Sequence, residues 1–511
     1  VHSSGAMAWH GVYNISRYLA VALFLSSAKA AKDEFFHPPH GPPCRKSPEL
    51  ASLTLDGKAN KQILVAFGGK GWEWRLKRKH GKGKAGEADE SLWGKSGKGG
   101  DGKLQKEVTF FNDLWTFDFQ ARTWQEMDAP KGPAPRWKTG TCDAYDKSKF
   151  VVMGGCTETS VRYAKNDLWV FTPNSEEKGD WKQIDTSNQP VPRRGHVMVA
   201  NTTHLTIFGG KAKLKNAETS WKELPEEEDD DESYQPGDKC LIDLWSIKKD
   251  VILDEYKEGF ARWVQGAPFP AGCRWGATGS YVQSAIGTKF LAVFGGRHLG
   301  TGEEEHTTST SAYTYYNDLW LYDFMEDKWS EAPAVGARPP ARDHHGAASV
   351  EGRIFIYGGR RSEKREASST LADLWSYNLD MHTWFEHVPV GGHMPCARFM
   401  PGVSSVNVDG QEMLAVFAGE VLPGSTKRTT LNDLWVFNPV AATWTEYFSS
   451  TCGNKPDVEN LEDLEASSPE WSSQFRWSFI GFLTAGFAVF GLSALLCRDV
   501  TRSDVLDASE H

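Results

Sequence analysis

The chain contains no Gly-x-Ser-x-Gly, no His-Glu-x-x-His, no Cys-x-x-Cys and no Gly-x-x-x-x-Gly-Lys-Ser/Thr loop. Those absences remove the legible nucleophile elbow, zinc-protease helix, thioredoxin-type redox pair and phosphate cradle. Positive charge is in deficit too. Lys and Arg number 57 against 67 Asp and Glu, a net charge of −10, which argues against bulk attraction to nucleic acid. Long apolar runs are missing until Trp477–Cys497, near the end of the chain.

What is present is a repeat. Asp-Leu-Trp occurs six times, at Asp113-Leu114-Trp115, Asp167-Leu168-Trp169, Asp243-Leu244-Trp245, Asp318-Leu319-Trp320, Asp373-Leu374-Trp375 and Asp433-Leu434-Trp435. Upstream of each, an apolar run ends in a glycine pair: Gly68-Gly69, Gly154-Gly155, Gly209-Gly210, Gly295-Gly296 and Gly358-Gly359, with Ala418-Gly419 in the last copy. Downstream comes a second tryptophan: Trp124, Trp181, Trp263, Trp329, Trp384 and Trp444. Such periodicity marks a repeat architecture and overrides the two or three domains that length alone suggests.

Each repeat reads as four short strands. In the fifth, 346–350 and 353–357 flank the turn Glu351-Gly352, and Leu374-Trp375-Ser376-Tyr377 and Thr383-Trp384-Phe385-Glu386 follow. The glycine pairs supply positive φ and close backbone approach where a strand must stop. A lone sheet of this size cannot cover its own faces; six arranged radially can.

The order Gly-Gly, Asp-Leu-Trp, second Trp resembles the kelch-repeat family of β-propellers, over roughly Cys44 to Phe448. The resemblance implies an all-β, six-bladed kelch-type β-propeller of four-stranded blades over 44–448. It also implies an arginine leading into the first strand: Arg136, Arg193, Arg274, Arg342 and Arg398, with Arg45 a looser match in the first unit, and His196 and His345 three residues on in two copies. These arginines recur beside the six motif aspartates and are read as paired structural charges rather than an anion-binding ring. The two histidines are read as structural. Some family members are enzymes, among them a copper radical oxidase and a sialic acid mutarotase, but nothing in the spacing here singles out a Tyr and His ligand set.

The termini suggest a membrane protein. Residues 1–30 have the layout of a signal peptide starting at Met7, with Arg17, an apolar run Tyr18–Leu25 and the small-residue site Ala28-Lys29-Ala30. Trp477–Cys497 is uncharged and reads as one transmembrane α-helix, after an acidic stalk 449–476 and before a short cytosolic tail 498–511. The expected form is a single-pass type I protein with the propeller in the lumen or outside the cell. Asn201-Thr202-Thr203 is a glycosylation sequon, and the eight cysteines fit an oxidising compartment.

Insertions fall between the second and third strands of units one, three and four, at Lys70–Lys106, Lys211–Leu241 and Arg297–Tyr316. Lys77, Arg78, Lys79, Tyr313 and Tyr315 are the candidate binding-loop residues. The leading expectation is a non-enzymatic interaction module for a protein or glycan, with no cofactor, no metal and no nucleic acid. The alternative is an extracytoplasmic carbohydrate-active enzyme of oxidase or mutarotase type. Cys44 and Cys452 flank the repeats, so a disulfide between them could join the two ends of a ring; Cys396 is a rival partner, and Cys240–Cys273 and Cys142–Cys156 are further pairings.

Overall fold

The computed structural model describes residues 41–55, 62–77, 103–143, 147–158, 163–213, 238–253, 261–300, 307–309, 313–362, 367–422 and 429–452. Outside them fall the expected signal peptide, stalk, membrane span and tail, together with Arg78, Lys79 and the acidic run Glu226–Glu232. Among the described residues no helix is long and apolar enough to cross a membrane. Nearly all of them belong to one compact unit; the strand ends at 73–77 and 103–107 fall in a second.

Six antiparallel four-stranded sheets follow one another along the chain. Unit five runs Gly346–Val350, Arg353–Tyr357, Leu374–Asn378 and Thr383–Glu386, each strand hydrogen-bonded to the next. First strands begin four residues after each arginine, at Glu49–Thr54, Gly140–Asp143, Val197–Ala200, Thr278–Gln283, Gly346–Val350 and Gly402–Val408. Each touches the first strand of the following unit, and the last touches the first of unit one. The arrangement is propeller-like.

The second tryptophan of each repeat holds neighbouring sheets together. Trp384 packs on Phe294 of the preceding unit at 5.1 Å between ring centroids, Trp329 on Phe208 at 5.0 Å and Trp181 on Phe67 at 5.3 Å. Trp444 meets Tyr357 at 5.4 Å, and Trp124 of unit one meets Phe417 of unit six at 4.8 Å. In unit three Trp263 is fully buried in a cluster with Met153. Each of these rings buries its large apolar area against a neighbour, so no sheet is covered by its own residues alone.

The glycine pairs carry the φ values expected of them. Gly358 and Gly359 sit at 65° and 92°, and a Cβ on Gly358 would lie 2.6 Å from the Arg398 carbonyl oxygen. Ala418 holds the equivalent conformation, φ 58°, with a side chain.

Two expectations change. The ends of the repeat array are joined by more than a disulfide. A short strand, Arg45–Lys46, pairs with both Gln62–Lys77 and Thr429–Asn438, which merges the sheets of units one and six into nine strands. Tyr313 and Tyr315, expected in an exposed loop, lie in the strand Tyr313–Tyr316 and are buried, because that segment pairs with Arg297–Leu299 and Thr307–Ser309 to form an extra sheet.

Candidate functional site

The repeat motif has a common chemistry. In unit five the Arg342 guanidinium donates to Asp373 Oδ1 at 2.7 Å and Oδ2 at 2.6 Å, to the Gly358 carbonyl at 2.9 Å and to the Pro340 carbonyl at 3.0 Å. The Trp375 indole N–H donates to the same carboxylate at 2.8 Å. Arg45–Asp113, Arg136–Asp167, Arg193–Asp243 and Arg398–Asp433 repeat this fork. Unit four keeps the pair Arg274–Asp318 through Nη1. Burial alone would raise the Asp167 and Asp243 carboxyls, but the hydrogen bonds and charge of Arg136 and Arg193 outweigh it and hold both below the usual range. The arginines are therefore spent on structure.

The residue after each arginine and the residue after each glycine pair form a bridge on the inner side of the array. The pairs are Lys46 with Lys70, Trp137 with Cys156, Arg194 with Lys211, Trp275 with Arg297, Asp343 with Arg360, and Phe399 with Glu420. One residue further on, Ser47, Lys138, Gly195, Gly276, His344 and Met400 all have φ between 48° and 68°. Backbone hydrogen bonds link them from unit to unit: Ser47 N to Met400 O, Met400 N to His344 O, His344 N to Gly276 O and Gly195 N to Lys138 O. The left-handed conformation turns these amides and carbonyls towards one another around the centre.

This centre is rich in basic side chains. Among the described residues it holds buried Lys46, Lys70, Arg194, Lys211, Arg297 and Arg360 and half-buried Lys138, against the carboxylates of Asp238, Asp343 and Glu420. Lys46 pairs with Glu420 at 2.7 Å, and Asp343 is ion-paired with Arg297 Nε at 3.0 Å and accepts from Arg360 Nε at 3.1 Å. Aromatic faces take up further charge: Lys211 lies 3.8 Å from the centroid of Trp275 and Arg297 4.1 Å from that of Tyr313. Burial, reinforced by Lys46 and Lys138, pushes Lys70 down to about 6. Lys138 and Lys211 are driven well below lysine's ordinary range, first by burial and then by Arg194. An added anion would relieve that crowding.

The chain matches the family described as the KLHDC2/KLHL20/DRC7 Kelch-repeats domain over residues 98–224 and 274–460. It belongs to this Kelch-repeat family. Kelch domain-containing protein 2 of Bos taurus is 23% identical over 345 residues, 64% of this chain and 73% of that protein. Adagio-like protein 3 of Oryza sativa subsp. japonica is 41% identical over 105 residues, only 16% of its own length. An N-(sulfonatooxy)prop-2-enimidothioate sulfolyase of Thlaspi arvense is 24% identical over 337 residues, 61% of this chain and 81% of the enzyme.

Of the candidate loop residues of this Kelch-repeat protein, Arg78 and Lys79 lie outside the described residues. Tyr313 and Tyr315 are brought to the centre as packing for Arg297, whose Nη1 donates to the Tyr315 hydroxyl at 3.0 Å. Lys77 ends a strand, with its side chain outside the description. His196 is buried and pushed down to about 3 by burial, and His345 is likewise held neutral by burial. Asn201 is only 3% exposed, and its Oδ1 caps the turn by accepting from Thr203 N and His204 N, both at 2.8 Å. A residue this buried does not offer its Nδ2 to a glycan, so the glycosylation expectation is not supported. Cys44 is bonded to Cys452 and Cys240 to Cys273, whereas no disulfide joins Cys142 to Cys156. The central cations were missed. The available signal was their position, one residue after each arginine or glycine pair.

Proposed function

We propose that this chain is an interaction module that takes an acidic segment of a partner protein at its cationic centre. The observation that carries the reading is the excess there of seven Lys and Arg over three Asp and Glu among the described residues, interleaved with Trp137, Trp275 and Phe399. Lysines whose pKa values burial and neighbouring charges have depressed are held towards the neutral form, and an incoming carboxylate would raise them again, so binding is coupled to proton uptake. The partial exposure of Lys138, His344 and Ser47 supports approach from their side. The reading extends to a closed six-bladed propeller tethered by 477–497 on the extracytoplasmic side of a membrane. The signal-like segment 1–30 and the two disulfides support that extension.

Fluorescence anisotropy with labelled acidic, neutral and basic peptides tests the binding. Acidic peptides should bind in preference, lose affinity steeply with added salt, and lose at least about tenfold in the charge reversal Lys211→Glu. Equal affinity for neutral peptides would sink the proposal; binding of neutral glycans alone would transfer the function to another surface. A second reading, turnover of a small anionic substrate, is favoured by the same charge and by the relative from Thlaspi arvense. Product formation from a panel of sulfated and carboxylated small molecules would replace the interaction reading.

A further inference from the structure

We propose that the Lys138 amine is a carbonyl-reactive nucleophile, served by His344 as proton shuttle, and that it takes a small anionic aldehyde or 2-oxo acid. Lys138 and His344 come from units two and five, yet Lys138 Nζ lies 3.4 Å from His344 Nε2. The other ring nitrogen, Nδ1, is 2.7 Å from Asp343 Oδ2. A carboxylate flanked by the guanidinium groups of Arg297 and Arg360 can only accept, so Nδ1 carries the proton and the Nε2 lone pair faces the amine. Asp343 is fully buried, which fixes the ring orientation.

Both reacting residues are held in the left-handed region, φ 52° at Lys138 and 51° at His344, a conformation that costs energy for residues with side chains. Glycines occupy the same position in units three and four; a Cβ on Gly195 would meet nothing within 4 Å, whereas one on Gly276 would lie 2.9 Å from the His344 ring. Lys138 is half-buried, and the His344 side chain is 9% exposed. Burial and the charges of Arg194, Lys46, Arg360 and Arg297 favour the neutral amine, the nucleophilic form, and the same cations would hold a carboxylate or phosphate on the incoming molecule.

The chemistry balances without a co-reactant. Nζ forms a bond to the carbonyl carbon while the carbonyl π pair moves to oxygen, and His344 Nε2 carries a proton from nitrogen to that oxygen. The nitrogen lone pair then forms the C=N bond as the C–O bond breaks. His344 delivers the second N–H proton to the departing oxygen, so one water leaves and an imine remains.

This inference rests on the reading that the centre admits anions. The full chain is incubated in turn with glyoxylate, pyruvate and pyridoxal 5′-phosphate, reduced with cyanoborohydride and mapped by peptide mass spectrometry. The expected result is an adduct at Lys138 at least about tenfold above that at any other lysine, formed at least about tenfold more slowly in His344→Gln. Circular dichroism melting separates this from loss of fold, and mapping of the unaltered protein needs no variant. An adduct spread over exposed lysines with Lys138 unmodified, an adduct at Lys70 or Lys211 instead, or an unchanged rate in His344→Gln overturns the proposal. Acidic-peptide binding that persists without a Lys138 adduct refutes this inference alone; loss of both refutes the interaction reading as well.

Discussion

Each motif aspartate accepts from an arginine guanidinium and an indole N–H at once, through both guanidinium nitrogens in all units but the fourth, so one residue type fixes three segments of its repeat. Arg342 is fully buried, and in Asp373→Ala its charge would be left uncompensated. Chemical denaturation should show a loss of about 3–5 kcal/mol; a loss near zero would mean that water replaces the carboxylate. The glycine pairs give a graded test. A methyl on Gly358 would meet a carbonyl oxygen at 2.6 Å, whereas one on Gly209 would meet its nearest atom at 3.4 Å. Both positions have positive φ, so both alanine variants should lose roughly 1–3 kcal/mol, Gly358→Ala the more. A larger loss at Gly209, read from urea midpoints, would refute the steric ranking. Ala418 already lives at φ 58°, which shows that the strain alone is tolerable.

Between elements, Glu49 opens the first strand of unit one and accepts from Thr141 Oγ1 of unit two at 2.8 Å. Burial pushes its carboxyl up to about 7, with the threonine hydrogen bonds opposing. A folded pKa above the unfolded one means that the folded state binds the extra proton. The stabilising contribution is thus complete below about 4.5 and lost as pH rises through about 7. Glu49→Gln should match the parent at low pH and exceed it above pH 7 by roughly 1–3 kcal/mol, the partial exposure of Glu49 discounting the full shift. Parallel melting curves for both proteins across that window would contradict the assignment. Asp167 and Asp243 work in the opposite direction, since their depressed carboxyls lose stabilising pairing as pH falls. Strand boundaries such as Arg353–Tyr357 were legible because Glu351-Gly352 and Gly358-Gly359 punctuate them. The buried sheet 313–316 was not, since its partners 297–299 and 307–309 carry no repeat signal and read as loop composition. The Lys138–His344 contact was equally hidden, because it joins residues 206 positions apart through the packing of whole units.

At the scale of the molecule, the two ends of the repeat array are fastened together three times. Arg45 pairs with Leu431, the Asn432 amide donates to Pro42 O and Thr451 Oγ1, both at 2.9 Å, and Cys44 is bonded to Cys452 with Cα atoms 5.9 Å apart. The disulfide spans 408 residues, so its loss releases a loop that covers the whole repeat array. Chain-entropy arguments give roughly 2–5 kcal/mol for Cys44→Ala, part of which the Asn432 hydrogen bonds and the Trp124–Phe417 contact should retain. Removing both fastenings, in Cys44→Ala with Asn432→Ala, should therefore cost more than the sum of the single changes, because each alone leaves the other holding the ends. Additive losses in urea denaturation would show that the two act independently, and non-reducing peptide mapping that found Cys452 as a thiol would remove the latch altogether.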